Sequence, residues 1–196
     1  MTHEELLTDT AFFAATPASA LALITQHAVT QQMQRGDVLF NEGDVPDSLF
    51  VVLSGRVAIA IGNKPLDSRE SMLALMESGD LFGELGMLDE GPRSAMARAI
   101  EPSSVLRIPY APVLEQMHAH PAMLWGVIKL LANRLRTMDE VLADSVFLDV
   151  TGRTAKRLLE LSSGNDEFVL PVTQEELAGM VGASREGVNK AIASFI

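Results

Sequence analysis

The chain has 196 residues, 47% hydrophobic and 21% charged, enough for one large domain or two small ones with packed cores. It has no cysteine, which excludes disulfides, thiolate catalysis, iron–sulfur ligation and Cys-based zinc sites and fits a cytoplasmic protein. No apolar window is long enough to span a membrane, the start Met1-Thr2-His3-Glu4-Glu5 does not read as a signal peptide, and a net charge of −11 taken alone argues against nucleic-acid binding.

Residues 1–35 contain short amphipathic helical pieces, such as Ser19 to His27 with Leu21, Leu23 and Ile24. From Gly36 to about Pro109 short apolar runs are cut by turns. Val38-Leu39-Phe40, Leu49-Phe50-Val51-Val52-Leu53, Val57-Ala58-Ile59-Ala60-Ile61 and Val105-Leu106-Arg107-Ile108 alternate with Glu42-Gly43-Asp44, Ser54-Gly55, Gly62-Asn63, Ser78-Gly79-Asp80 and Gly91-Pro92. Strands at this spacing predict a β-sandwich, barrel or jelly roll, with Ser54-Gly55 as a tight hairpin turn.

Within this region Asp80-Leu81-Phe82-Gly83-Glu84-Leu85-Gly86 leads to Gly91-Pro92-Arg93-Ser94-Ala95. Gly83 is expected to open a short helical turn, whose free N–H groups attract a phosphate. Arg93 offers a charged fork and Ser94 a hydroxyl to a phosphodiester. Glu84 suits a sugar hydroxyl, provided that a cation offsets its charge beside the phosphate. The competing reading is a structural Glu84–Arg93 ion pair in a loop.

Residues 121–147 read as one long helix, with Pro121 in its first turn. Leu124, Ile128, Leu131, Leu135, Met138, Leu142 and Ser145 follow alternating steps of four and three, a coiled-coil seam in which only the last is polar. Val127, Leu130 and Val141 form a second stripe. One stripe suits an identical helix and the other the β domain, which favours a homodimer over a single core helix.

Beyond residue 148, Asp149 or Thr151 is expected to cap a helix through Ala155-Lys156-Arg157-Leu158-Leu159-Glu160-Leu161, which Ser162-Ser163-Gly164-Asn165-Asp166 ends. Thr173 and Glu176 form a capping box. Leu177, Ala178 and Val181 give a packed face, and Gly182 a tight turn. Ser184 caps a second helix with Val188, Ile192 and Phe195 inward and Arg185, Glu186 and Lys190 outward. This is a helix-turn-helix pattern, whose second helix enters the major groove. There Arg reads guanine bidentately and Glu accepts from cytosine. The alternative is an ordinary helical hairpin with a solvated face, and Gly187 is a poor helix former that the pattern leaves unexplained.

Four elements in order resemble the cyclic-AMP receptor protein family of bacterial transcription regulators, the CRP–FNR superfamily. These are Gly36-Asp37, Gly43-Asp44 and Gly55; Phe82-Gly83-Glu84-Leu85-Gly86 with Pro92-Arg93-Ser94-Ala95; Phe147-Leu148-Asp149-Val150-Thr151-Gly152-Arg153; and Gly182-Ala183-Ser184-Arg185-Glu186. The resemblance covers residues 12–196 and implies an α+β chain. Its parts would be a cyclic-nucleotide-binding β-roll (jelly roll) sensor over 1–120, a dimerisation helix over 121–147 and a winged helix-turn-helix DNA-binding domain over 148–196. The family's wing is expected after the second helix, so this domain is expected to be incomplete at its C-terminus.

The resemblance further implies that Glu84 holds the ribose 2′-hydroxyl, that Arg93 and Ser94 hold the cyclic phosphate, and that Gly83, Leu85 and Ala95 line the pocket. It implies base reading by Arg185, Glu186 and Lys190 beside the helix caps Thr173 and Ser184. The expected partners are palindromic double-stranded DNA, a second copy and RNA polymerase, with cyclic AMP as regulatory ligand and no cofactor, metal or membrane. Members that bind cyclic AMP usually place Thr and then Ser or Asn against the adenine, where this chain has Met138 and Asp139. The phosphate–ribose half of the site is therefore kept and the base half altered. That keeps open cyclic GMP, a cyclic dinucleotide, or action without ligand.

A cyclic-nucleotide-sensing signalling subunit is the reading from another class, and the helix-turn-helix argues against it. No catalytic set stands out, and His3, His27, His118 and His120 form no ligand constellation, so no enzyme is expected. The charge also divides unevenly. Residues 1–150 hold 10 Lys and Arg against 20 Asp and Glu, and residues 151–196 hold 5 against 6. The acidity sits in the sensor, which leaves a nearly neutral DNA-reading part compatible with binding.

Overall fold

The computed structural model describes residues 2–62, 70–162 and 164–195. Two short helices, α1 (His3–Asp9) and α2 (Ala18–Thr25), precede strands β1 (Val29–Met33), β2 (Val38–Phe40), β3 (Ser48–Ser54), β4 (Val57–Gly62), β5 (Glu70–Met76), β6 (Leu81–Phe82), β7 (Met96–Ala99) and β8 (Ser103–Pro109). One turn of helix, α3 (Leu85–Leu88), lies between β6 and β7. Then come α4 (Tyr110–Ala119), a 3-10 turn at Pro121–Met123, and α5 (Leu124–Phe147). The chain closes with α6 (Val150–Ser162), α7 (Gln174–Val181) and α8 (Arg185–Ala193).

The strands form two four-stranded sheets, ordered β1-β8-β3-β6 and β2-β7-β4-β5. β3 shows how sequence alternation builds both sides of the first sheet. Leu49 and Val51 enter a core with Leu7, Phe13, Ile24, Val113 and Val127, while Phe50 and Val52 enter a second core with Phe82, Val57, Ala97 and Val105. Successive side chains of a strand point to opposite faces, so a strand buried on both faces reads as a continuous apolar run.

Three features differ from the sequence reading. β1 falls in the stretch read as helical. Only its Met33 is buried, and the strand is held by an antiparallel ladder from Val29↔Arg107 to Met33↔Ser103. Its sequence lacks alternation because the partner strand, not an apolar face, fixes it. The turn at Ser54-Gly55 is a corner, since β3 and β4 belong to different sheets. Gly55 has φ +76, and a Cβ there would lie 2.5 Å from the Pro102 carbonyl oxygen. Finally, Pro121 opens a 3-10 turn, and the α-helix starts three residues later.

The chain divides into two compact units: the described residues to Ala60 with Leu75–Arg134, and Ile61–Gly62 with Glu70–Ala74 and the described residues from Leu135. In the second, α6, α7 and α8 bury Leu177, Ala178, Val181, Val188 and Ala191. Asp149 Oδ1 accepts from Gly152 N at 2.7 Å and caps α6. Phe195, expected inward, is 46% exposed, because α8 ends at Ala193 and its helical spacing stops there. Among the described residues no helix is long and apolar enough to cross a membrane.

Candidate nucleotide and nucleic-acid sites

In the first unit, Gly83, Glu84, Arg93 and Ala95 come together around the β6–α3 turn. Backbone bonds Gly43 N to Arg93 O (2.8 Å) and Arg93 N to Asp44 O (2.9 Å) fix where the Arg93 side chain starts. The guanidinium is nearly buried, with the residue 6% exposed. Nη1 donates to Gly83 O at 2.8 Å and to the Tyr110 hydroxyl at 3.1 Å, and Nη2 donates to Ser48 O at 2.7 Å. Its carbon lies 4.1 Å from the Phe40 ring centroid, a cation–π contact.

These partners are neutral, and burial lowers the Arg93 pKa from its ordinary value. The guanidinium touches only carbonyls, a phenol and rings, and Asp47 and Asp44, without contacting it, offset its desolvation only in part. Three of its five N–H donors are used, which leaves two for a ligand. Gly83 makes the approach possible. Its φ is +79, and a Cβ would lie 2.7 Å from Arg93 Nη1.

Glu84 is fully buried. Its Oε1 pairs with Arg134 Nη1, while Arg134 Nη2 donates to Leu81 O at 2.6 Å. Glu84 thus pairs with Arg134 and not with Arg93, which corrects the loop ion-pair alternative. Its Oε2 has no hydrogen-bond partner, and neither has the buried Ser48 hydroxyl. Ser94 and Leu85 are exposed and Ala95 is buried. The Tyr110 hydroxyl donates to Gly83 O, and burial raises its pKa above 10.0.

Arg134 and Tyr110 escaped the sequence reading. The requirement that a cation offset Glu84 was visible in the motif, but the spacing could not say which cation, because Arg134 lies 50 residues away.

In the second unit Thr173 and Glu176 make the reciprocal capping box, Glu176 N to Thr173 Oγ1 at 3.2 Å and Thr173 N to Glu176 Oε2 at 2.7 Å. Gly182 ends α7 in the left-handed region, and Ser184 Oγ accepts from Gly187 N at 3.1 Å to open α8. Arg185 is exposed, and Glu186 and Lys190 form an exposed pair at 2.8 Å. Such a pair is worth little in water, so both groups remain available to a ligand. Arg153 Nε donates to Val181 O and its Nη1 to Leu148 O, tying the end of α7 to the residues before α6. Space at Gly187 is limited on the cap side, where a Cβ would lie 3.3 Å from Ser184 Oγ, while Val150 Cγ1 at 3.6 Å would be an ordinary contact.

The seam residues Leu124, Ile128, Leu131, Leu135, Met138 and Leu142 are 37–67% exposed, as is Asp139 by class. Of the second stripe, Val127 and Leu130 pack on the first unit's core and Val141 is exposed.

A cyclic nucleotide-binding domain family matches residues 30–120, and a Crp-like helix-turn-helix domain family matches residues 152–196. The chain is 37% identical to the CRP-like cAMP-activated global transcriptional regulator of Mycobacterium tuberculosis, over 98% of this chain and 88% of that one. It is 33% identical to the cAMP-activated global transcriptional regulator CRP of Salmonella typhimurium, over 79% and 76%. Among solved structures, it resembles the c-di-GMP responsive global regulator CLP of Xanthomonas campestris (TM-score 0.77, 25% identity, 91% of each chain). It also resembles the Thermus thermophilus catabolite activator protein (TM-score 0.59, 30% identity, 95% of this chain and 86% of that one). The chain belongs to the CRP-like family of DNA-binding transcriptional regulators, a family of regulators and not of enzymes, and joins a cyclic nucleotide-binding domain to a Crp-like helix-turn-helix.

Proposed function

We infer that the chain is a homodimeric, cytoplasmic regulator whose DNA affinity is set by cyclic AMP. The observation that carries this is a pair of incomplete buried charges in the first unit. The Arg93 guanidinium has no anion in contact with it, and Glu84 Oε2 lacks a donor. A cyclic phosphate supplies the first and a ribose 2′-hydroxyl the second. Ser94 adds a hydroxyl to the phosphate, and Gly83, Leu85 and Ala95 form the wall. The two relatives named as cAMP-activated support this ligand.

In this reading residues 1–120 sense the nucleotide, 121–147 dimerise through Leu124, Ile128, Leu131, Leu135, Met138 and Leu142, and 148–196 bind a palindromic site. Thr173 and Ser184 set the helices, Arg185, Glu186 and Lys190 meet base edges, and RNA polymerase is the downstream partner. Ligand gating requires only that cyclic AMP bind one of two dimer states better than the other.

Calorimetric titration of the full chain with cyclic AMP tests the ligand. Removing two charge-assisted bonds by Arg93→Ala is expected to cost about 2–4 kcal/mol, roughly 30- to 1,000-fold in affinity. Ser94→Ala, at an exposed position, should cost less and leave folding intact. Unchanged affinity in Arg93→Ala would place the phosphate elsewhere.

A second reading keeps the class and changes the ligand to cyclic GMP or a cyclic dinucleotide, or dispenses with one. It is motivated by Met138 and Asp139, where an adenine would meet a thioether and a carboxylate, and by the c-di-GMP responsive structural relative. A thermal-shift panel separates the nucleotides, since only ligands that prefer the native state raise stability.

A further inference from the structure

The flanks of the α5 seam carry a second pattern. The alternating four and three steps assign Leu124, Leu131 and Met138 to position d, and Ile128, Leu135 and Leu142 to position a. Position g is then Val127, Arg134 and Val141, and position e is Trp125, Ala132, Asp139 and Val146, of which Trp125 lies too near the helix start to meet a g residue of α5. In a parallel, in-register pair of helices, each g residue faces the partner's e residue five positions further on, and these flanks set partner choice and orientation. The resulting pairs are Val127 with Ala132, Arg134 with Asp139, and Val141 with Val146. Two match apolar with apolar, and the third matches cation with anion. An antiparallel pair would set g flank against g flank and lose the charge match.

Arg134 is prepared for a second carboxylate. It uses Nη1 on Glu84 and Nη2 on Leu81 O, and its side chain stays 31% exposed with further N–H donors to offer. Asp139 is exposed and has no ion-pair partner among the described residues of its own chain.

We propose that in the dimer Arg134 of each protomer pairs with Asp139 of the partner subunit, so that one guanidinium joins the buried Glu84 to the seam. This rests on the homodimer reading above and deepens it, because the second copy then contributes a charged residue to the nucleotide site. The site and the dimer share an arginine, and a hydroxyl arriving at Glu84 acts on a group that the partner also holds.

Sedimentation of the full chain at low and high salt tests the pairing without any nucleotide. Asp139→Lys sets cation against cation at both symmetric sites and is expected to raise the dimer dissociation constant about tenfold at low salt, with the difference shrinking at high salt. Asp139→Asn should raise it only about two- to threefold. Because the chain has no cysteine, Leu142→Cys supplies a single thiol that cross-links two copies only if the helices run parallel and in register. Cross-linking together with a salt-dependent loss in Asp139→Lys supports the pairing. Cross-linking with Asp139→Lys as tight as the unaltered chain overturns it and leaves the dimer standing. A monomer at every concentration overturns the dimer reading, and the pairing falls with it.

Discussion

The Gly83 carbonyl is shared by two donors, the Arg93 guanidinium and the Tyr110 phenol. Tyr110 is the chain's single tyrosine, so tyrosinate absorbance reads it alone. Burial raises its pKa, so its midpoint in the native protein should lie above 10 and return to about 10 in denaturant. The unfolded chain then loses this proton first, and stability should fall as pH rises beyond about 10. A native midpoint at or below 10 would show the phenol to be open to water. Gly83→Ala should cost about 1–2 kcal/mol from the left-handed backbone alone, with a further loss of nucleotide affinity because its Cβ displaces Arg93. Gly43→Ala has the same backbone cost, at φ +87, but its Cβ meets nothing within 4 Å, so it should melt early and lose less affinity than Gly83→Ala. At this scale the motif made Glu84 and Arg93 legible as a pair of binding groups. It did not reveal Arg134 or Tyr110, because both reach the site from distant segments that only the fold brings near.

Capping and crowding decide how the helices of the second unit begin. Thr173→Ala removes half of a reciprocal capping box and is expected to destabilise by about 1 kcal/mol, read as a lowered melting temperature. Gly187→Ala should recover less than the ~1 kcal/mol that Ala ordinarily gains over Gly in a helix, because the new methyl crowds the Ser184 cap. A full gain would mean that the cap yields freely. The helix-turn-helix and the long helix were readable because caps and four–three spacing are local signals. β1 was not, since one buried residue in five leaves no periodicity to read. The corner at Gly55 read as a hairpin because a turn residue between two apolar runs does not say which sheet each run joins.

The net charge of −11 becomes compatible with DNA binding once it is divided, since residues 151–196 carry only −1 of it. With few cationic groups near Arg185 and Lys190, DNA affinity should fall with salt more shallowly than for a strongly basic regulator. The row of exposed apolar residues along α5 is long for a surface meant to face water, and the proposed dimer would cover it. The most direct test is selection of DNA from a random pool by the full chain, with and without saturating cyclic AMP. Gating by cyclic AMP predicts a two-fold symmetric site that is enriched with the nucleotide and bound at least tenfold more weakly without it, a coupling of about 1.4 kcal/mol or more. The same site selected with equal affinity in both conditions would contradict gating by cyclic AMP.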